Sequence, residues 1–144
     1  MKIVSTSLKD TEQIAEDFVK KLSFHTHDGA LVVGLYGDLG SGKTTFTQDV
    51  AKIFGINETI TSPTYIIEKI YPIKHMQFKN FIHIDAYRLN SAKELAVLDW
   101  ERTVGDPKNI IFIEWPEKVL EILSVNHAKI NFKFITDTER EIEF

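Results

Sequence analysis

The chain has 144 residues, 43% hydrophobic and 26% charged, the proportions of an ordinary globular domain, with a formal charge of −4 and no cysteine. That balance argues against a protein that grips a nucleic-acid backbone by itself, because such binding rests on Lys and Arg neutralising phosphates. It also excludes a disulfide framework or a thiolate metal site. No apolar run approaches the roughly 20 residues of a membrane span and the N-terminus lacks a signal pattern, so a single cytoplasmic domain over residues 1–144 is expected.

Residues 2–4 read as a short strand. Residues 11–22 follow as a helix: Asp10 and Gln13 stand at capping-box spacing, and Ile14, Phe18 and Leu22 form one inward stripe. The run from Ala30 to Leu35 is apolar on both faces, as expected of a central parallel strand covered by helices on each side. It leads directly into a glycine-rich loop, after which residues 44–54 read as a helix with Phe46, Val50, Ile53 and Phe54 inward and Gly55 at its stop. Further strands are predicted at 66–71, 81–85 and 110–114, with a helix over 92–100 between the last two, opened by Ser91 and Glu94 as a capping box.

A short helix is expected from Pro116 to about residue 123. Beyond it the period changes: Ala128, Ile130, Phe132 and Phe134 alternate with Lys129, Asn131 and Lys133. With Ile142 and Phe144 beyond the polar turn at 136–138, this predicts an antiparallel hairpin on a sheet edge. The fold class is α/β, a P-loop NTPase-like sheet with parallel core strands, flanking helices and that C-terminal hairpin.

Gly37, Asp38, Leu39, Gly40, Ser41, Gly42, Lys43 and Thr44 match G-x-x-x-x-G-K-[ST] at every fixed position. In this motif glycines let the backbone curl until its N–H groups converge on phosphate oxygens, and the following helix points its positive end at the same charge. Lys43 supplies charge to the β- and γ-phosphates, and the Thr44 hydroxyl is an oxygen ligand for Mg²⁺. Thr45 stands one residue further in, toward the α-phosphate. A chance match in a chain of this size is about a one in a few hundred event, and the strand before and helix after make it rarer.

Such loops work with an acid at the end of another strand, which holds the metal or its water. Asp85 and Glu114 both qualify, and Glu114, ending the cleaner apolar run, is favoured for the metal. An acidic cap or solvated strand end is the bland alternative for each. His83 alternates with Ile82 and Ile84 and so faces the side of Asp85, where a hydrogen-bonded structural histidine is favoured over a ligand. His25, His27, His75 and His127 show no metal-ligand spacing, and the lysines from 69 to 79 read as a solvated loop.

The glycine loop with Thr45, Ser62-Pro-Thr-Tyr65, His83-Ile-Asp-Ala-Tyr-Arg88 and Glu114-Trp-Pro-Glu117 together resemble the TsaE family, bacterial ATPases of tRNA threonylcarbamoyladenosine synthesis. The resemblance implies a protein that binds ATP or ADP with Mg²⁺, hydrolyses ATP slowly and docks on the TsaD and TsaB proteins, which modify position 37 of tRNA. Contact with tRNA is then indirect. It further implies that Thr44 and Glu114 hold the metal, that Asp85 serves hydrolysis with Lys43, and that Thr11 lies near the nucleotide base. The 62–65 segment is implied to be a switch-like loop. The chain departs from the family pattern at Ser41, usually Ala, in 98–102, which lacks the usual glycine, and at Glu139-Arg140, usually Gly-Arg.

The main rival is a small-molecule P-loop kinase. Such enzymes clamp phosphates with several Arg under a lid, and this chain has only Arg88, Arg102 and Arg140. A GTPase is disfavoured by the lack of an Asn-Lys-x-Asp run.

Overall fold

The computed structural model describes residues 1–22, 28–60 and 68–144. One sheet of seven strands runs through them: β1 (Lys2–Ser5), β2 (Leu31–Tyr36), β3 (Glu68–Pro72), β4 (Asn80–Asp85), β5 (Asn109–Glu114), β6 (Ala128–Phe134) and β7 (Arg140–Glu143), in the spatial order β1-β7-β6-β2-β5-β4-β3. The four middle strands, β6, β2, β5 and β4, are mutually parallel. β7, β1 and β3 pair antiparallel at the flanks.

Parallel strands are buried on both faces, which is why β2 and β5 are apolar at nearly every position. Leu31, Val33, Leu35, Phe81, Ile110 and Phe112 face α1 (Leu8–Leu22) and α2 (Lys43–Ile53). Val32, Ile82, Ile84, Ile111 and Ile113 face the opposite layer, where Leu95, Trp100, Val119 and Leu123 cover them. Each fully buried aliphatic or aromatic side chain contributes about 1.5–3 kcal/mol, so these two apolar layers are what hold the strand ends in line.

The expected stripe of Ile14, Phe18 and Leu22 is buried, but α1 begins at Leu8, earlier than the spacing predicts. Its box is Ser7 with Asp10: the Asp10 N–H donates to Ser7 Oγ at 3.1 Å, and Asp10 Oδ2 accepts from Thr6 N at 2.9 Å and Thr6 Oγ1 at 2.7 Å. With Ser7 as the cap, Asp10 serves in the first turn and Gln13 donates instead to Glu16 and Asp17. α2 closes at Gly55 (φ 81°) in a Schellman pattern, with Ile56 N donating to Ala51 O at 3.0 Å and Gly55 N to Lys52 O at 2.9 Å. Ile53, expected inward, is 39% exposed; Phe46, Val50 and Phe54 already fill that face.

The helix expected over 92–100 is two pieces, α3 (Lys93–Ala96) and α4 (Trp100–Gly105), parted by Asp99 in the left-handed region at φ 60°. On a continuous helix Leu95 and Trp100 would point about 140° apart. The break lets both bury, at 1% and 5% exposure, and Asp tolerates the left-handed conformation at the stretch where the usual glycine is missing. Glu94 does reach back to the N–H of Ser91 at 3.2 Å and of Asn90 at 2.6 Å. After Pro116 there are two 3₁₀ turns, Pro116–Lys118 and Leu120–Ile122, in place of one helix.

The C-terminal hairpin forms, β6 against β7, but it is interior to the sheet. β6 pairs with β2 and β1 pairs with β7, so the edges are β1 and β3. The predicted strand at 66–71 is described from Glu68 onward. The 62–65 segment, His25 and His27 lie outside the described residues.

A candidate phosphate and cation site at the strand ends

β2, β4 and β5 end in one line at their carboxyl edge: Leu35 pairs with Glu114, and Glu114 pairs with Asp85. In parallel sheets this edge is where ligands bind. The loop from Gly37 to Gly42 rises from β2 there and feeds α2. All three of its glycines hold positive φ, and two show why most plainly. Gly37 sits at φ 145°, where an added Cβ would lie 2.4 Å from the Phe132 carbonyl oxygen, and Gly42, at the N-cap of α2, sits at φ 101°.

Lys43 opens α2 and is buried. Its Nζ donates to the carbonyls of Gly37 and, at 2.9 Å, Asp38, and lies 4.2 Å from the centre of the Trp115 ring. Burial pushes its ammonium below the usual lysine range, with Glu114, Glu117, Asp38 and Asp85 pulling the other way. Glu114 is 2% exposed, and Thr44 Oγ1 donates to its Oε1 at 2.6 Å. Burial raises its carboxyl, but His83, the Thr44 hydroxyl and the Lys43 ammonium outweigh that and hold it below the ordinary value. Asp85 is half-buried at the mouth, its Oδ1 accepting the Tyr87 N–H at 2.9 Å.

Leu39, Gly40, Ser41, Gly42, Lys43, Thr44 and Thr45 join Asp85, Glu114 and Trp115 around a cleft of about 420 Å³. An adjoining cleft of about 530 Å³ is lined by hydroxyl-bearing side chains, among them Ser5, Thr6, Thr11 and Thr138. The two meet at Ser41, Gly42, Thr45 and Arg140. Thr11 is buried there, with its hydroxyl 2.7 Å from Ser5 Oγ. Gly37 and Asp38 lie behind the cleft and serve it through the carbonyls that hold Lys43.

Trp115 has two surroundings: it is half-buried against the apolar layer of Leu95, Trp100 and Val119, and it lines the first cleft beside Tyr87. It holds φ 59°, a left-handed conformation costly for a bulky residue and of the kind found at functional sites. Arg140 also lines the cleft, as does Arg88, and sequence alone assigns a role to neither. The Arg140 guanidinium is held by the Thr136 and Glu139 carbonyls and over the Phe134 ring, contacts within its own hairpin turn that no spacing rule announces.

Among the described residues no three His, Cys, Asp or Glu side chains converge as a metal cluster. A cation here would draw on the Thr44 hydroxyl and the Glu114 carboxylate, completed by phosphate and water oxygens, the all-oxygen mixture that suits Mg²⁺. The donor set fits that ion.

A glycine loop at the start of a buried helix, a lysine folded into it and a strand-end carboxylate bonded to its threonine sit on an α/β fold with a P-loop NTPase-like sheet. The model of the family "Threonylcarbamoyl adenosine biosynthesis protein TsaE" matches residues 5–142, and the chain belongs to the TsaE family. It is 35% identical over 135 residues to the tRNA threonylcarbamoyladenosine biosynthesis protein TsaE of Rickettsia prowazekii, covering 93% of this chain and 87% of that one. It is 37% identical over 120 residues to the protein of the same name from Borreliella burgdorferi, covering 83% and 84%. The crystal structure of Bacillus subtilis YdiB superposes with a TM-score of 0.68 at 29% identity, over 99% of this chain and 82% of that one. Among the described residues no helix is long and apolar enough to cross a membrane.

Proposed function

We propose that this chain is a Mg²⁺-dependent, ATP- and ADP-binding protein and slow ATPase of the cytoplasm that supports the TsaD and TsaB proteins in forming threonylcarbamoyladenosine on tRNA. The observation that carries the reading is the 2.6 Å bond from Thr44 at the start of α2 to Glu114 at the end of β5, beside the buried Lys43. A carboxylate bonded to a hydroxyl, with a buried ammonium in the same cleft, is a costly arrangement that a charged ligand would help to repay.

The phosphate chain lies along the loop, its charge met by the backbone N–H groups, the α2 dipole and Lys43. Thr44 and Glu114 hold the Mg²⁺, which when bound neutralises charge across the β- and γ-phosphates. Asp85, at the mouth of the cleft, orients the attacking water and accepts its proton. The base and ribose occupy the second cleft beside Thr11, reached through Thr45. Arg140, tied to its own turn, and Arg88 line the cleft, yet P-loop switches without an inserted Arg turn over at only about 10⁻⁴ per second. Acceleration by partners follows.

The test is steady-state phosphate release at saturating ATP, with the chain alone and then with TsaD and TsaB. Slow release, raised by the partners, is expected. Fast release unaffected by the partners would overturn the partner-regulated reading, and phosphorylation of a small metabolite would favour the kinase.

A further inference from the structure

His83 is fully buried, and nothing in the proposed chemistry uses it. It stands on β4, opposite Phe112 of β5, on the sheet face that carries Phe81 and Asp85. Phe81 and Phe112 stack with centroids 5.1 Å apart, so this face is apolar up to His83 and becomes acidic just beyond it. Neither ring nitrogen makes a well-formed hydrogen bond, but Nε2 lies 3.4 Å from Glu114 Oε2, while Oε1 of the same carboxylate accepts from Thr44. A histidine kept for packing alone is a poor choice here, because a buried ring gives up hydration that Phe or Leu never had.

The carboxylate selects the tautomer. A proton on Nδ1 would leave that N–H buried without an acceptor and aim the Nε2 lone pair at a negative oxygen; a proton on Nε2 turns the same contact into an attraction. A Glu side chain pinned through one oxygen can still swing about that contact. A second donor on the other oxygen fixes its plane.

We propose that His83 is a positioning residue for Glu114: its Nε2–H holds Oε2 so that Oε1 stays turned toward Thr44, and in this way it sets the Mg²⁺ affinity of the site. The inference rests on the metal role proposed for Glu114 and Thr44. Partners of this kind behind a metal-binding carboxylate typically change metal affinity 10- to 100-fold when removed.

The experiment compares wild type, His83→Phe, His83→Gln and Glu114→Ala by calorimetric titration with ADP, in excess Mg²⁺ and in EDTA. In wild type Mg²⁺ should tighten ADP binding. His83→Phe, which keeps the ring shape and loses the donor, should reduce that gain by roughly tenfold or more while leaving the EDTA affinity in place. His83→Gln, whose amide can present N–H near the same spot, should recover part of the gain. In a Glu114→Ala background, His83→Phe should add nothing. The inference is overturned if His83→Phe keeps the full gain, if it loses affinity equally in EDTA, or if His83→Gln does no better.

Should His83→Phe fail to fold, long-range ¹H–¹⁵N spectra of the wild-type ring decide, and an Nδ1-protonated ring overturns it. If Glu114→Ala retains the Mg²⁺ gain, the metal role of Glu114 fails and takes this inference with it. If Glu114→Ala abolishes the gain and the His83 variants do not touch it, His83 alone is misassigned.

Discussion

The two clefts that meet at Thr45 and Arg140 are built by different means. The first stands on β2, β4 and β5, central parallel strands packed on both faces, and two of its charged groups, Lys43 and Glu114, are buried. The second is assembled from the chain's two ends: Ser5 of β1 faces Arg140 of β7 in register, and the start of α1 closes over them. Phe132 and Ile142 anchor its floor in the core, but the ties at its rim are hydroxyl hydrogen bonds on an edge strand. Segments of that kind open locally at lower free energy than central strands. On the function proposed above, the stiff cleft would hold charge in fixed geometry and the softer one would accommodate the base.

Asp85→Ala is the strongest way to break that assignment. A residue that orients water acts in the transition state, so turnover should fall roughly 100-fold or more with ATP affinity little changed. Normal hydrolysis by this variant in a phosphate-release assay would remove Asp85 from the chemistry. Lys43→Ala comes next: losing a charge-assisted contact of about 1.5–3 kcal/mol should weaken ATP and ADP at least roughly tenfold. Under the proposed function the stiff cleft reads phosphate and not base, so the loss should be similar for GTP, and calorimetry with the three nucleotides shows whether it is.

Thr11→Val probes the other cleft at nearly constant volume. It removes the hydroxyl that faces Ser5 at 2.7 Å, for an expected loss of roughly 1 kcal/mol in stability. ADP binding should weaken severalfold, with the preference for ATP over GTP narrowed. An unchanged preference would separate base recognition from this cleft.

The contrast between the clefts also explains what could be read from the sequence. The first cleft is written in contiguous residues: a glycine loop after an apolar strand, and two strands each ending in an acid. Parallel register alone then brings Asp85 and Glu114 side by side. The second depends on contacts between residues more than a hundred positions apart, such as Ser5 with Arg140, which no local pattern encodes. Thr11 was placed near the base through family resemblance; the residues themselves said only that a helix began nearby. The start of α1 is ambiguous in the sequence because Ser7 and Asp10 satisfy the same spacing rule that Asp10 and Gln13 do, and the bonds from Thr6 to the Asp10 carboxylate decide between them. The break at Asp99 was hidden because it serves two buried side chains, Leu95 and Trp100, whose shared burial is a tertiary demand.

The smallest expected effect tests whether the start of α1 is as loosely tied as the comparison holds. Asp10 accepts from the Thr6 hydroxyl and the Thr6 N–H, and these bonds hold its carboxyl below its ordinary value of 3.8. The unfolded chain therefore binds this proton more readily than the folded one. The resulting stability is fully present above the ordinary value and is lost as the pH falls through the lowered folded one. Asp10→Asn removes the charge at every pH, so its melting temperature should lie below that of wild type near neutrality and converge on it as the solution is acidified. Hydrogen exchange should quicken at residues 6–11 and stay unchanged along α2 and the glycine loop, since those are held by the central strands. A difference in melting temperature that persists unchanged into acid would show that Asp10 acts other than through its charge, and faster exchange spreading into the glycine loop would show that the two clefts open as one.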